Sequence, residues 1–516
     1  MKNNLNIFRQ GVSALLASAI CLPLAAKEPI PVSPLAEKAA AHAVSHYQAA
    51  MAPTLAKLVR FDTRAREGQT PLTDPAFIGF KAEMKALAAE LGLSFEDRGY
   101  VLLLGLGEAD AKLGVITHGD VQPADPSQWL KSPWELDSQS EPGHLIGRGT
   151  EDDKGPIVTA LYAMKSIKDL NLPLERRIEL LVYLAEESDW DPLREFLKTY
   201  TPADINITLD AEYPVVTAEK GWSQIQFTIP RAMAKVGPNT PVLKVFEGGS
   251  FASQVPQLAH ASIQNADEAL LQRLKARAEA QKNMRYQFEL QQGTLDIRAL
   301  GRAAHSSTPE AGVNAVAHLA EVLKAEDWPQ THGALTAQFV AEMVGLGLYG
   351  DKFGKLAYSD AFMGPMSLAV TLVKPTENGV EVTINLRRPE GRTPEQMEEA
   401  TREALSAWSE RHVVQLEGLD TYWGAPHVVK DAPHLETLLG VFSHFTGITN
   451  PKPVAIGGST NAKLFPNALS FGPAMPGVEY TGHSEHEFIT EAQLKLNLEM
   501  YTAAMVELAI KGAGQK

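Results

Sequence analysis

Five short stretches spread over 366 residues each carry a side chain able to bind a metal ion: His118 with Asp120, Asp152, Glu186 with Glu187, Asp210, and His483. Imidazole and carboxylate donors suit zinc and its neighbours, and a carboxylate beside a ligand but outside the ligand set can move protons. Each has an ordinary reading when taken singly. A His-x-Asp pair is expected about once by chance in a chain of this length. Asp152 and Asp153 could cap a helix, and Asp210 could be a turn aspartate ahead of Pro214. Adjacent carboxylates directly after the apolar run LLVYLA, however, must face water or find cations. The joint pattern points to a two-metal hydrolase.

Those residues share a position. AKLGVITHGD reads as a strand ending in His118, GRGTEDDKGP passes through Asp152 into the helical stretch IVTALYAMKSIKDL, IELLVYLAEES is a strand ending in the paired glutamates, and INITLDAEYP is a strand ending in Asp210. In a parallel α/β sheet the carboxyl ends of the strands share one edge, where ligands bind. Residues far apart in sequence are thereby predicted to meet in one pocket.

At this point the motifs resemble a known family, the M20 metallopeptidases, and within it the dipeptidases of the PepV and carnosinase type. The resemblance rests on HGDVQPADPSQW, GRGTEDDKGP, AEESDW, LDAEYP and GHSEHEF in that order. GRAAHSSTPEAGVNAV, NLRRPEGRT, GGSTNAK and FGPAMPG extend it over nearly all the chain after the first residues. It implies an α/β fold, a mixed-sheet di-metal catalytic domain with an inserted α+β lid. It implies that Asp152 bridges two divalent ions, that His118 and Asp210 complete one site, and that Glu187 and His483 complete the other. Zinc is the expected metal, with cobalt or manganese as alternatives. Asp120 would stand behind His118 and fix its tautomer, and Glu186 would be the general base. Such ions acidify a water and polarise a carbonyl.

The same resemblance implies that His305 reaches the substrate from the second domain and that Arg387 grips its terminal carboxylate, a task suited to a planar guanidinium. Arg388 competes with Arg387, and on a strand the two face opposite ways. Gly457, Gly458, Thr460 and Asn461 would line the substrate pocket. One departure stands out: FASQVPQ places Ser253 where many relatives carry an asparagine, which bears on substrate preference.

MKNNLNIFRQ has Lys2 and Arg9 and no acid, an apolar run follows, and Leu24-Ala25-Ala26 precedes Lys27, the pattern of a secretory leader over residues 1–26. The run is short for a membrane span. Cys21, the only cysteine, lies inside it, so the mature chain has no thiol chemistry. A periplasmic or secreted location follows, with no stable membrane association after cleavage. The net charge of −15 becomes −17 once Lys2 and Arg9 leave, which argues against nucleic acid and anionic membranes as partners.

Ligand motifs stop after Asp210 and resume at His483. Between them lie strand-like IQFTIP, helical ADEALLQRLKARAEAQ, strand-like YQFELQQGTLDIRAL, the hairpin MSLAVTLVKPTENGVEVTINL and helical TPEQMEEATREALSAWSER. The expected division is a catalytic domain over 27–219 and 413–516 with a lid over 220–412. A lid of this size resembles that of single-chain dipeptidases, which implies a monomer. The expected function is an exported metal-dependent dipeptidase acting on a small peptide substrate. An N-acyl amino acid amidohydrolase or a carboxypeptidase is the enzymatic alternative, and a periplasmic peptide-binding protein the non-enzymatic one.

Overall fold

The computed structural model describes residues 29–233 and 236–510, and the expected leader lies outside the described residues. Two sheets organise the chain. The first has nine strands, in the order Ser94–Asp97, Val101–Leu106, Arg177–Tyr183, Lys112–His118, Ile205–Thr208, Ala468–Ser470, Val216–Glu219 and His427–Val428, with Val454–Ile456 also paired to Val216–Glu219. Its centre is parallel, since Lys112–His118 runs alongside both Arg177–Tyr183 and Ile205–Thr208. Val101–Leu106 pairs antiparallel with Arg177–Tyr183, so the sheet is mixed.

The central strands are apolar almost throughout because both of their faces are covered. Leu113 and Val115 pack under the helices Pro34–Val59, Lys154–Asp169 and Glu491–Ala509, whereas Ile116 turns to a smaller cluster with Leu181, Leu193 and Phe465. His118 and Thr208 are polar residues at the carboxyl ends, where the register sets His118 opposite Tyr183 and Ile116 opposite Thr208.

The second sheet has eight antiparallel strands, ordered Arg285–Gln291, Thr294–Leu300, Leu258–Gln264, Val242–Gly248, Ser367–Pro375, Gly379–Arg388, Gly221–Pro230 and Glu417–Trp423. Gly221–Pro230 alternates strictly between buried and half-buried residues, the period of a sheet covered on one face. The helices Glu268–Glu279, Ala315–Leu323, His332–Phe339 and Pro394–His412 contribute to the core of this layer. Thr393 and Gln396 close a capping box at the start of the last of these.

Two expectations change. YQFELQQGTLDIRAL is a hairpin of two strands, turned at Gln292 and Gly293, both with positive φ, as a two-residue hairpin loop requires. The second domain does not end at 412: after Val413 the chain adds the edge strand Glu417–Trp423, whose Asp420 pairs with Gln226. It returns to the first sheet only at His427, opposite Glu219. The two crossings run against each other. A Cβ on Gly221 would lie 2.1 Å from Gly424 O and one on Gly424 would lie 2.2 Å from Trp222 O, so only glycine permits this approach.

Candidate active site

His118 is the last residue of its strand, Glu186 and Glu187 occupy the turn after Arg177–Tyr183, Asp210 follows Ile205–Thr208, and Asp152 lies just ahead of the helix Lys154–Asp169. The parallel register brings these ends together. His118 Nε2 lies 2.8 Å from Asp152 Oδ1 and 3.7 Å from Asp210 Oδ1. His483 Nε2 lies 3.1 Å from Asp152 Oδ2 and 2.8 Å from Glu187 Oε1, so Asp152 offers one oxygen to each histidine.

Asp120 organises the back of the site. Its main-chain oxygen accepts from His118 Nδ1 at 3.0 Å, which turns the Nε2 lone pair toward Asp152 and Asp210. Its carboxylate accepts from the backbone N–H groups of Glu186 and Glu187, each at 3.0 Å, and so fixes the turn that carries both. Glu187 is steadied further by Gln122 Nε2 at 2.7 Å.

The electrostatics are those of a cluster with more negative than positive groups. Burial works against a charged His118, but Asp210, Asp120 and Asp152 hold it well above the ordinary imidazole value. Burial likewise opposes charge on His483, and Glu187 and Asp152 outweigh it, taking that imidazole to about 10. Burial together with the carboxylates of Asp152 and Glu187 lifts Asp210 to about 7, and burial with Asp210 and Glu187 beside it lifts Glu186 well above the carboxylate range. A cluster that draws in protons this strongly is one that divalent cations would occupy in their place. Glu186 Oε1 is buried without a hydrogen-bond partner, and His118, Asp152 and Glu187, or His118, Glu186 and Asp210, present donor atoms within 4.8 Å of one another. These residues fit a metal ion in both donor type and spacing.

Two residues outside the sequence reading hold the ligand loops. Glu487, fully buried, accepts from the N–H groups of Glu151 and Asp152 at 2.9 and 3.0 Å through one oxygen, and from Gly149 N and Arg148 Nη1 at 3.0 and 2.8 Å through the other. Glu151 answers from the opposite loop, accepting from Thr481 N, Thr481 Oγ1 and Gly482 N directly ahead of His483. Tyr480 Oη also donates to Asp152 Oδ2 at 2.6 Å. Their only sequence signal is the acidic richness of the two motifs.

The second domain contributes from across the cleft. The His305 ring meets the His483 ring edge-on with centroids 4.8 Å apart, and its Nδ1 hydrogen-bonds to Ser307 Oγ. Burial, with His483 and Arg387 nearby, holds His305 well below the usual imidazole value, so it is neutral. Ser253 lies behind this loop, its main-chain oxygen accepting from Ser306 N at 2.8 Å.

Arg387 donates to Ser306 Oγ at 3.2 Å, Asn385 Oδ1 at 3.3 Å and Gly457 O at 3.4 Å, and no carboxylate among the described residues pairs with it. Burial lowers it to about 10. Arg388 faces the other side of the strand, donating to Arg392 O at 2.9 Å, which leaves Arg387 as the arginine beside His305. Gly457 is one close contact between the domains, since a Cβ there would lie 2.3 Å from Ser307 O, while a Cβ on Gly458 would meet only the Ile456 side chain, at an ordinary 3.5 Å. Thr460 sits differently from the expected pocket lining. Its hydroxyl donates to Glu219 at 2.6 Å and accepts from Ala462 N, so it braces the loop from behind. Asn461 is buried next to it with Oδ1 unpartnered.

Residues 114–507 match the model of peptidase family M20/M25/M40. The chain belongs to that family. As an M20 peptidase it is a metallopeptidase, a hydrolase, and the family's dependence on metal agrees with the donor cluster around Asp152. It is 29% identical over 411 residues to a Beta-Ala-Xaa dipeptidase of Lactobacillus delbrueckii subsp. lactis, covering 79% of this chain and 84% of that one. It is 30% identical over 410 residues to YtjP of Bacillus subtilis strain 168, covering 78% and 84%. Human carnosine dipeptidase 1 shares the fold at a TM-score of 0.54 and 15% identity, over 93% of this chain and 99% of that one.

Proposed function

We propose that this M20 peptidase is an exported dipeptidase that hydrolyses the peptide bond of a dipeptide at a site for two divalent ions, zinc by donor chemistry. Asp152 would be shared between the ions, with His118 and Asp210 on one side and Glu187 and His483 on the other. When bound, the ions would acidify a water and polarise the scissile carbonyl.

The chain's own groups supply the rest. Glu186, held by Asp120 through its backbone and with Oε1 unpartnered, takes the proton from the attacking water and passes it to the departing amine. Neutral His305 donates a hydrogen bond to the oxygen that gains charge. Arg387 pairs with the free C-terminal carboxylate of the substrate. The observation that carries the reading is Arg387 itself: a buried guanidinium without a carboxylate partner among the described residues, linked through Ser306 to His305 and so to the rim of the donor cluster. A fixed distance between that cation and the cluster selects short substrates.

The relatives named above support the dipeptidase reading, and the leader pattern of residues 1–26 supports export to the periplasm or beyond. The eight-stranded second sheet, complete within one chain, favours a monomer, and a sedimentation mass twice that of the chain would refute it. The test of function is an assay of the metal-loaded protein against dipeptides, tripeptides and N-acyl amino acids. Dipeptides are expected to be turned over fastest. Faster cleavage of tripeptides makes it a carboxypeptidase, faster cleavage of acyl amino acids an amidohydrolase, and binding without turnover a peptide-binding protein.

A further inference from the structure

The two halves of the donor cluster are supported unequally. On one side, His118 Nδ1 is tied to Asp120 O at 3.0 Å, so that ring is held by a contact of its own. On the other, His483 Nδ1 is buried and has no hydrogen-bond partner among the described residues. A metal-binding imidazole almost always has its second nitrogen engaged, and that contact fixes the ring. The His483 half therefore needs another source of alignment.

The hydroxyl of Tyr480 stands at that place. Its Oη donates at 2.6 Å to Asp152 Oδ2, the same oxygen that lies 3.1 Å from His483 Nε2. Asp152 Oδ1, which lies 2.8 Å from His118 Nε2, receives no such hydroxyl among the described residues. An ionised carboxylate offers about two lone pairs on each oxygen. Oδ2 can thus accept from the phenol and keep a lone pair for an ion.

The loop is shaped to bring the phenol there. A Cβ on Gly482 would lie 2.2 Å from Tyr480 Oη and 2.3 Å from its Cζ, so only glycine lets the ring fold back across its own loop to reach Asp152. Between Tyr480 and His483, the N–H groups of Thr481 and Gly482 donate to Glu151 at 2.7 and 3.2 Å. Phenol and imidazole therefore project from one anchored segment.

We infer that Tyr480 is a positioning residue for the metal ion on the Glu187 and His483 side, fixing the second oxygen of Asp152 and so compensating for the unpartnered Nδ1 of His483. The inference rests on the two-ion reading above and concerns one ion only, because the His118 side has its own support in Asp120. Loss of such an outer partner typically weakens metal binding about 10–100-fold.

The test reads metal uptake apart from activity. The full chain, stripped with a chelator, is dialysed against Zn²⁺ buffered over a range of free concentrations, and bound zinc is counted per chain. The unmodified protein should take up two ions. Tyr480→Phe, which keeps the ring and removes only the hydroxyl, should bind the first ion at an unchanged concentration and the second at a concentration about 10–100-fold higher. Gly482→Ala, which keeps the hydroxyl but pushes it off Oδ2, should shift the same step in the same direction. At saturating zinc, Tyr480→Phe should recover kcat with KM unchanged; a KM raised at every zinc concentration would make the phenol a substrate contact instead and overturn the inference. Uptake by Tyr480→Phe that matches the unmodified protein, or that weakens for both ions alike, overturns the role of Tyr480 and leaves the two-ion site standing. An unmodified protein that holds fewer than two ions overturns the two-ion reading and this inference with it.

Discussion

Glu487 carries the loop of Asp152: one of its carboxylate oxygens accepts from the backbone N–H of Asp152 at 3.0 Å and of Glu151 at 2.9 Å, although 335 residues separate Glu487 from Asp152. The other oxygen pairs with Arg148, and both side chains are almost wholly buried. The carboxylate that stands between His118 and His483 thus depends on a second carboxylate that touches neither. Glu487→Gln keeps the shape and removes the charge. Breaking a buried pair of this kind costs about 3–5 kcal/mol, and disturbing the support of a ligand typically weakens metal binding about 10–100-fold. Melting curves and metal content should both fall. A variant that melts and binds metal as the unmodified protein does would remove Glu487 from this role.

Chelation exposes the charge imbalance of the site. With its cations removed, Asp210 titrates at about 7 and Glu151 at about 8, each raised by burial and then by neighbouring carboxylates. An acid whose folded value lies above its unfolded one binds more protons when folded, so stability is lost as pH rises between the two values. The chelated protein should therefore melt at lower temperature at pH 8 than at pH 5, and zinc, cobalt or manganese should restore stability at pH 8. A melting temperature that rises from pH 5 to pH 8 after chelation contradicts this.

Arg387 sets the response to the substrate's end group. A charge-assisted bidentate pair contributes about 1.5–3 kcal/mol, so a dipeptide should have a kcat/KM at least about tenfold above that of its C-terminal amide. Arg387→Ala should erase the difference. Equal rates on acid and amide with the unmodified protein would place Arg387 outside the substrate site.

His118, Glu186, Glu187 and Asp210 are legible in the sequence because each ends or follows an apolar run too polar at its tip to continue inward, and a parallel sheet has one such edge. Glu487 and Glu151 are not legible, because their partners are backbone N–H groups of distant loops and a main-chain donor leaves no trace in residue type. The choice between Arg387 and Arg388 needed the strand's facing, which alternation leaves open until one neighbour is placed. Thr460 reads as a pocket residue from the family resemblance of GGSTNAK, but Glu219, at the end of another strand, takes its hydroxyl. Glu417–Trp423 is hard to read as a strand because only Leu419 and Trp423 mark its apolar inner face, and the exposed Tyr422 between them blurs the alternation.

The central claim is that adjacent Glu186 and Glu187 do different work, the first moving protons and the second holding metal. The direct measurement is metal content together with kcat on a single dipeptide for Glu186→Gln and Glu187→Gln. Glu186→Gln should keep its metal and melting temperature while kcat falls by about 10²–10⁴, and Glu187→Gln should lose metal. Metal lost from Glu186→Gln but retained by Glu187→Gln, or an unchanged kcat in Glu186→Gln, would contradict the account.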